Sequence, residues 1–114
     1  MKNRRLCEAI KGKLLRKLHK YDFLDIGVDV VKEAIDDEEF LSINISGDLW
    51  RYEVGYNYDE KETTVGLTMN DFFTLSSSEI RKYVFYFGQL SQALDYLTGI
   101  SWEYFIESTE RSLS

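Results

Sequence analysis

Leu6, Ile10, Leu14 and Leu18 recur every four residues, with Cys7 and Leu15 beside them and Lys11, Lys13, Arg16 and Lys17 in between. This spacing gathers the apolar side chains on one stripe of a helix and leaves the bases around the rest, so it predicts a basic amphipathic helix over residues 3–20. Ile26, Val30, Val31, Ala34 and Ile35 predict a second, shorter helix over residues 26–36, capped by Asp22 or Asp25 and weakened by Gly27 and its β-branched side chains.

From Phe40 to Met69 the apolar period changes to two, which is that of a strand with one buried face. A two-residue turn at Gly47 and Asp48 sets Ile45 opposite Trp50, Ile43 opposite Tyr52 and Leu41 opposite Val54. A loop over residues 59–62 then sets Tyr58 opposite Thr63, Tyr56 opposite Val65, Val54 opposite Leu67 and Tyr52 opposite Met69. The pattern predicts a three-stranded antiparallel meander over residues 40–46, 49–58 and 63–69. One face is apolar and aromatic, and the other carries Ser42, Asn44, Arg51, Glu53, Asn57, Thr64 and Thr68. Such a sheet requires a layer of helices over its apolar side.

Leu75, Ser76, Glu79 and Ile80 have the spacing of a capping box with a hydrophobic staple, and they predict a helix over residues 77–98 that Gly99 ends. Ile80, Tyr83, Val84, Phe87, Leu90, Leu94 and Leu97 form its core stripe, while Phe85, Gln89, Gln92 and Tyr96 line up on the far side. The two aromatics of that far stripe mark it as an interface, with the first helix or the tail, a partner, or a second copy. In the tail, Trp102, Phe105 and Ile106 fit a helix over residues 101–110. The alternation of Ile100, Trp102, Tyr104 and Ile106 also fits a strand that covers an open edge of the meander.

A chain of 114 residues, 44% hydrophobic and 15% aromatic, suits one folded α+β domain over residues 1–114. It has no Pro, no Gly/Ser-rich tract and no repeat, and no apolar run of the roughly 18–20 residues that a membrane span needs. The bases interrupting the first apolar stripe argue against a secretory signal, and the lone Cys7 is expected as a core thiol in a reducing compartment. The expectation is therefore a cytoplasmic protein without membrane contact.

Charge changes the picture more than composition does. The net charge is −6, yet residues 1–20 hold eight bases against one acid, Glu8, and the rest holds six bases against nineteen acids. The chain is electrically bipolar, +7 in the first segment and −13 beyond it. The acids concentrate in the run Asp36, Asp37, Glu38 and Glu39 and in the group Asp59, Glu60 and Glu62.

Catalysis, a metal or a nucleotide each calls for a recognisable set of residues, and none is present. The only His and the only Cys, His19 and Cys7, lie twelve residues apart on the first helix, about 18 Å at 1.5 Å per residue. The glycines form no phosphate loop, and the 36–39 run lacks the alternating oxygens and central Gly of a calcium loop. The sequence thus leads to an expectation of no enzyme activity, no catalytic or metal residues and no cofactor.

What remains is surface. Asp36, Asp37, Glu38, Glu39, Asp59, Glu60 and Glu62 are the candidate patch for a protein partner with a basic surface. Phe85, Gln89, Gln92 and Tyr96 are the candidate contact with a partner or in a homodimer. In size and charge the chain is similar to phage anti-defence proteins of the anti-CRISPR type and to toxin immunity proteins. The expectation is a non-enzymatic acidic interaction module that inhibits a nucleic-acid-handling enzyme. Two alternatives stay open: a small nucleic-acid-binding regulator with Arg4, Arg5, Arg16 and Lys17 on phosphates, and an acidic chaperone-like dimer.

Overall fold

The computed structural model describes residues 2–69 and 77–114, with side chains from residues 3–69 and 83–114. Its elements run α1 (Lys2–Leu18), a 3-10 helical segment (His19–Leu24), β1 (Gly27–Ile35), β2 (Glu38–Ser46), β3 (Trp50–Asn57), β4 (Glu62–Met69), α2 (Ser77–Thr98) and α3 (Trp102–Leu113). The strands form one antiparallel sheet in the order β1-β2-β3-β4, and the fold is α+β.

The expected helix over 26–36 is replaced by strand β1. Val28, Val30, Val31 and Ile35 are β-branched, and with β2 alongside they gain a hydrogen-bonded ladder that a short helix with crowded χ1 angles could not match. Read with period two, Val28, Val30, Lys32 and Ala34 share one face, paired with Ile45, Ile43, Leu41 and Glu39. Asp36 and Asp37, at φ 51° and 66°, make the two-residue turn with both residues left-handed that joins the strands as a tight hairpin. Asp25, expected as a helix cap, instead sits in the left-handed region at the end of the 3-10 segment and donates its backbone N–H to the Asp22 carbonyl.

The meander itself is as expected, but both of its registers are displaced by two residues. Ile45 lies opposite Tyr52, Ile43 opposite Val54 and Leu41 opposite Tyr56; further along, Val54 lies opposite Val65, Tyr52 opposite Leu67 and Trp50 opposite Met69. Ser46 pairs with Arg51, and the Gly47 N–H is donated to the Trp50 carbonyl, so the turn centres on Asp48 and Leu49, one residue beyond the expected Gly47–Asp48 turn. A displacement of two preserves which face each side chain takes, so the apolar and polar faces survive unchanged.

Leu6, Ile10, Leu14 and Leu18 are buried, which holds α1 against the sheet, chiefly along β1. Burying each contributes about 1.5–3 kcal/mol, enough to dock a helix whose other side is basic. The tail is the helix that residues 101–110 suggested, extended to Leu113. Trp102 and Ile106 enter the core, and Thr109 is fully buried, its hydroxyl donating to the Phe105 carbonyl at 2.7 Å and accepting from Lys13 Nζ at 3.0 Å. The bond from Lys13 joins α1 to α3.

Among the described side chains of α2 the buried ones are Tyr86, Leu90, Ala93 and Leu97, a stripe turned from the expected one, whose Ile80 lies outside the described side chains. Leu90 and Leu97 hold as expected, Leu94 packs on the core from its margin, and Val84, expected inside, is 62% exposed. The turn arises because α2 packs on the 3-10 segment, where Tyr21 and Leu24 are buried, and not along the length of the sheet. Gly99 ends α2, its N–H reaching the Asp95 carbonyl at 3.1 Å. The capping signal at Leu75 and Ser76 lies outside the described residues.

Candidate functional site

Two hairpin turns bring the acidic groups together. The β1–β2 turn and the β3–β4 turn leave the same end of the sheet, so Asp36, Asp37, Glu38 and Glu39 are neighbours of Asp59, Glu60 and Glu62. The Glu39 N–H donates to Asp59 Oδ2 at 3.0 Å, and the Tyr58 N–H donates to the Glu39 carbonyl at 2.9 Å. Asn57 organises the second turn: its Oδ1 accepts from the N–H groups of Asp59 and Glu60 at 2.9 and 3.1 Å, and its Nδ2 donates to Glu38 Oε2 at 3.3 Å.

Helix α3 extends this acidic end. Tyr56 donates its phenol to Glu107 Oε1 at 3.2 Å, and Tyr58 donates to Glu110 Oε1 at 2.6 Å. Burial, and then the carboxylate each phenol bonds, push both tyrosines upward, Tyr56 to about 12. Both phenols therefore stay neutral donors at pH 7, holding Glu107 and Glu110 over the sheet. The sequence reading passed over these two glutamates. Their signal was available in the spacing of Glu103, Glu107 and Glu110, which share one side of a helix once the tail is read as helical.

Bases offset only part of this charge. Lys32 reaches Glu39 at 3.8 Å and lies 4.4 Å from the Tyr58 ring centroid, and among the described residues no other member of the patch has an ion pair. Lys32, Arg5 and Glu110 line a cleft of about 310 Å³ between α1, α3 and β1. The crowding has a measurable sign. Glu60 is raised from its ordinary value first by Glu62 and then by Glu38, so the cluster favours the protonated form and its ionised form disfavours the fold. That penalty is absent below the ordinary glutamate range and grows as pH rises through it. Glu60→Gln is accordingly expected to raise the melting temperature at pH 7 and low salt, with the gain shrinking at pH 4 or in 1 M salt; thermal unfolding across these three conditions checks it.

The other candidate residues fare differently. Of the stripe Phe85, Gln89, Gln92 and Tyr96, Phe85 is 73% exposed and Gln92 is exposed, whereas Tyr96 packs on the core beside Tyr21 and Gln89 Oε1 is buried. The four therefore do not make one exposed face, because α2 leans on the 3-10 segment along that side. Arg4, Arg5, Arg16 and Lys17 are all exposed on α1, Arg4 bonding Glu8 at 3.2 Å. They fall in two pairs about 18 Å apart along the helix.

Cys7 is half-buried against the core, its thiol pushed up by burial, and His19 is exposed where the 3-10 segment starts. Among the described residues no three His, Cys, Asp or Glu side chains are placed to share a metal ion, and no helix is long and apolar enough to cross a membrane. No protein-family model matches the chain, and comparisons with curated proteins and with solved structures returned no match.

Proposed function

We propose that the chain is a non-enzymatic acidic interaction module of the cytoplasm, an inhibitor that blocks a nucleic-acid-handling enzyme by occupying its basic site. The observation that carries this reading is the convergence of seven acidic side chains from two hairpin turns on one end of the sheet. Rigid β-turns hold carboxylates at fixed spacing, and Glu107 and Glu110 flank them from α3. An array of that kind presents to a basic groove what a nucleic-acid backbone presents, namely repeated negative charge, and it speeds encounter with such a groove. This mode of action is that of phage anti-defence proteins of the anti-CRISPR type and of toxin immunity proteins.

The purified chain is expected to bind immobilised basic nucleases at about 50 mM salt, to elute as salt approaches 1 M, and to be displaced by competing DNA. A second reading rests on the outward position of Arg4, Arg5, Arg16 and Lys17, which suits contact with phosphates. A chain that ignores every basic enzyme offered, while shifting labelled DNA or RNA by itself, overturns the inhibitor reading in favour of α1.

A further inference from the structure

Strand β4 ends the sheet, and among the described residues it pairs with β3 alone. All eight of its residues are exposed. Val65, Leu67 and Met69 continue the apolar rows of the sheet, opposite the buried Val54, Tyr52 and Trp50, yet they are 52%, 48% and 44% exposed, although α3 touches the strand. The strand also lacks the usual protections of an edge. It has no Pro, no Lys and no left-handed residue within it, and its one charge, Glu62, stands at its first position.

The order of side chains along β4 names the occupant. About Gly66 the strand is symmetrical in chemistry over two steps each way, with Val65 and Leu67 one step away and Thr64 and Thr68 two steps away; Thr63 and Met69, three steps away, differ. We propose that a second copy of this chain pairs with β4 edge to edge, antiparallel about a two-fold axis at Gly66, to make one eight-stranded sheet. In that register each Val65 lies opposite the partner copy's Leu67 on the apolar face, and each Thr64 opposite its Thr68 on the polar face. Cross-strand apolar and Thr–Thr pairs both favour strand association. Any register centred on Gly66 keeps like faces together, since paired residues of an antiparallel ladder take the same side.

Charge does not oppose the pairing. The two Glu62 side chains end up eight residues apart along the ladder, about 27 Å, well beyond the screening length of about 8 Å at physiological salt. The two acidic ends lie at opposite ends of the seam, and of the acidic patch Glu62 alone belongs to the pairing strand. An edge contact of this length falls below about 1,200 Å² in total, the low end for specific interfaces, so the dimer is reversible.

Gly66 also supplies the test. A Cβ there meets nothing within 4 Å and the backbone is not left-handed, so cysteine is tolerated. Two such residues facing each other have Cα atoms about 4.5–5.5 Å apart, within disulfide reach. In a Cys7→Ser background, Gly66→Cys is expected to cross-link into covalent dimers on mild oxidation, while Val31→Cys, on the opposite edge strand, stays monomeric. Light scattering of the wild type at about 100 µM is expected to give a mass approaching twice 13.4 kDa, and Leu67→Lys to return it to one chain with its circular dichroism unchanged. Absence of selective cross-linking at residue 66 overturns the proposal whatever the mass. So does a single-chain mass at every concentration, which leaves the edge for a strand of a different protein.

Discussion

Trp102→Ala is expected to lower stability by about 3–5 kcal/mol, the usual range for emptying a buried indole site. The side chain is buried near Tyr52 of β3, with ring centroids 6.3 Å apart, and its ring meets Phe105 edge-on at 5.6 Å. Removing it leaves a cavity between α3 and the sheet that backbone hydrogen bonds on both sides prevent from closing. Since domains of this size have about 5–15 kcal/mol in total, the variant sits near the edge of folding. Tyr104→Ala is the matched control. Tyr104 lies two residues along the same helix but is 66% exposed, and its loss is expected to cost no more than about 0.5 kcal/mol. Urea unfolding with an unchanged slope distinguishes the two; equal midpoints would mean that α3 does not pack as described.

The second large effect concerns the acidic end. Replacing Asp36, Asp37, Glu38 and Glu39 together by their amides is expected to weaken binding to a basic partner at least tenfold, chiefly through slower association, and to flatten its dependence on salt. The fold is expected to persist. The bonds of Glu39 to Asp59 and Tyr58 use its backbone N–H and carbonyl, and Gln at 38 keeps an oxygen for Asn57 Nδ2. Removing four like charges also relieves repulsion, so melting should stay level or rise. Surface plasmon resonance at two salt concentrations measures the effect, and an affinity and salt slope equal to those of the wild type would clear these four residues of any part in recognition.

Individual residues show what was legible and what was not. The stripe Leu6, Ile10, Leu14, Leu18 was readable because helical period is a local property, and all four are buried. Residues 26–36 were misleading for a physical reason: Val30, Val31, Ala34 and Ile35 gather on one side of a helix, whereas in the strand they divide between its two faces, leaving Val31 and Ile35 exposed. The partner strand that decides between helix and strand lies beyond a turn whose two aspartates both need the left-handed conformation. Val84 was expected in the core because it continues a regular spacing, but α2 leans on the 3-10 segment, and that placement is not encoded within the helix itself. For the candidate site, the seven acidic residues were visible as two runs. Glu107 and Glu110 were not, since their alignment with Tyr56 and Tyr58 depends on where α3 lands on the sheet.

What the sequence determined by itself was periodicity and charge: a basic amphipathic helix, a meander with one apolar and one polar face, and a large surplus of acids after residue 20. These follow from nearest neighbours along the chain, and strand faces survive even a two-residue error in register because their period is two. Tertiary structure alone decided that a fourth strand joins the sheet, that the acids of residues 36–39 and 59–62 meet at one end, and that the side chains of β4 stay exposed. Each of these depends on how separate elements pair and pack, where burial and backbone pairing outweigh local preference.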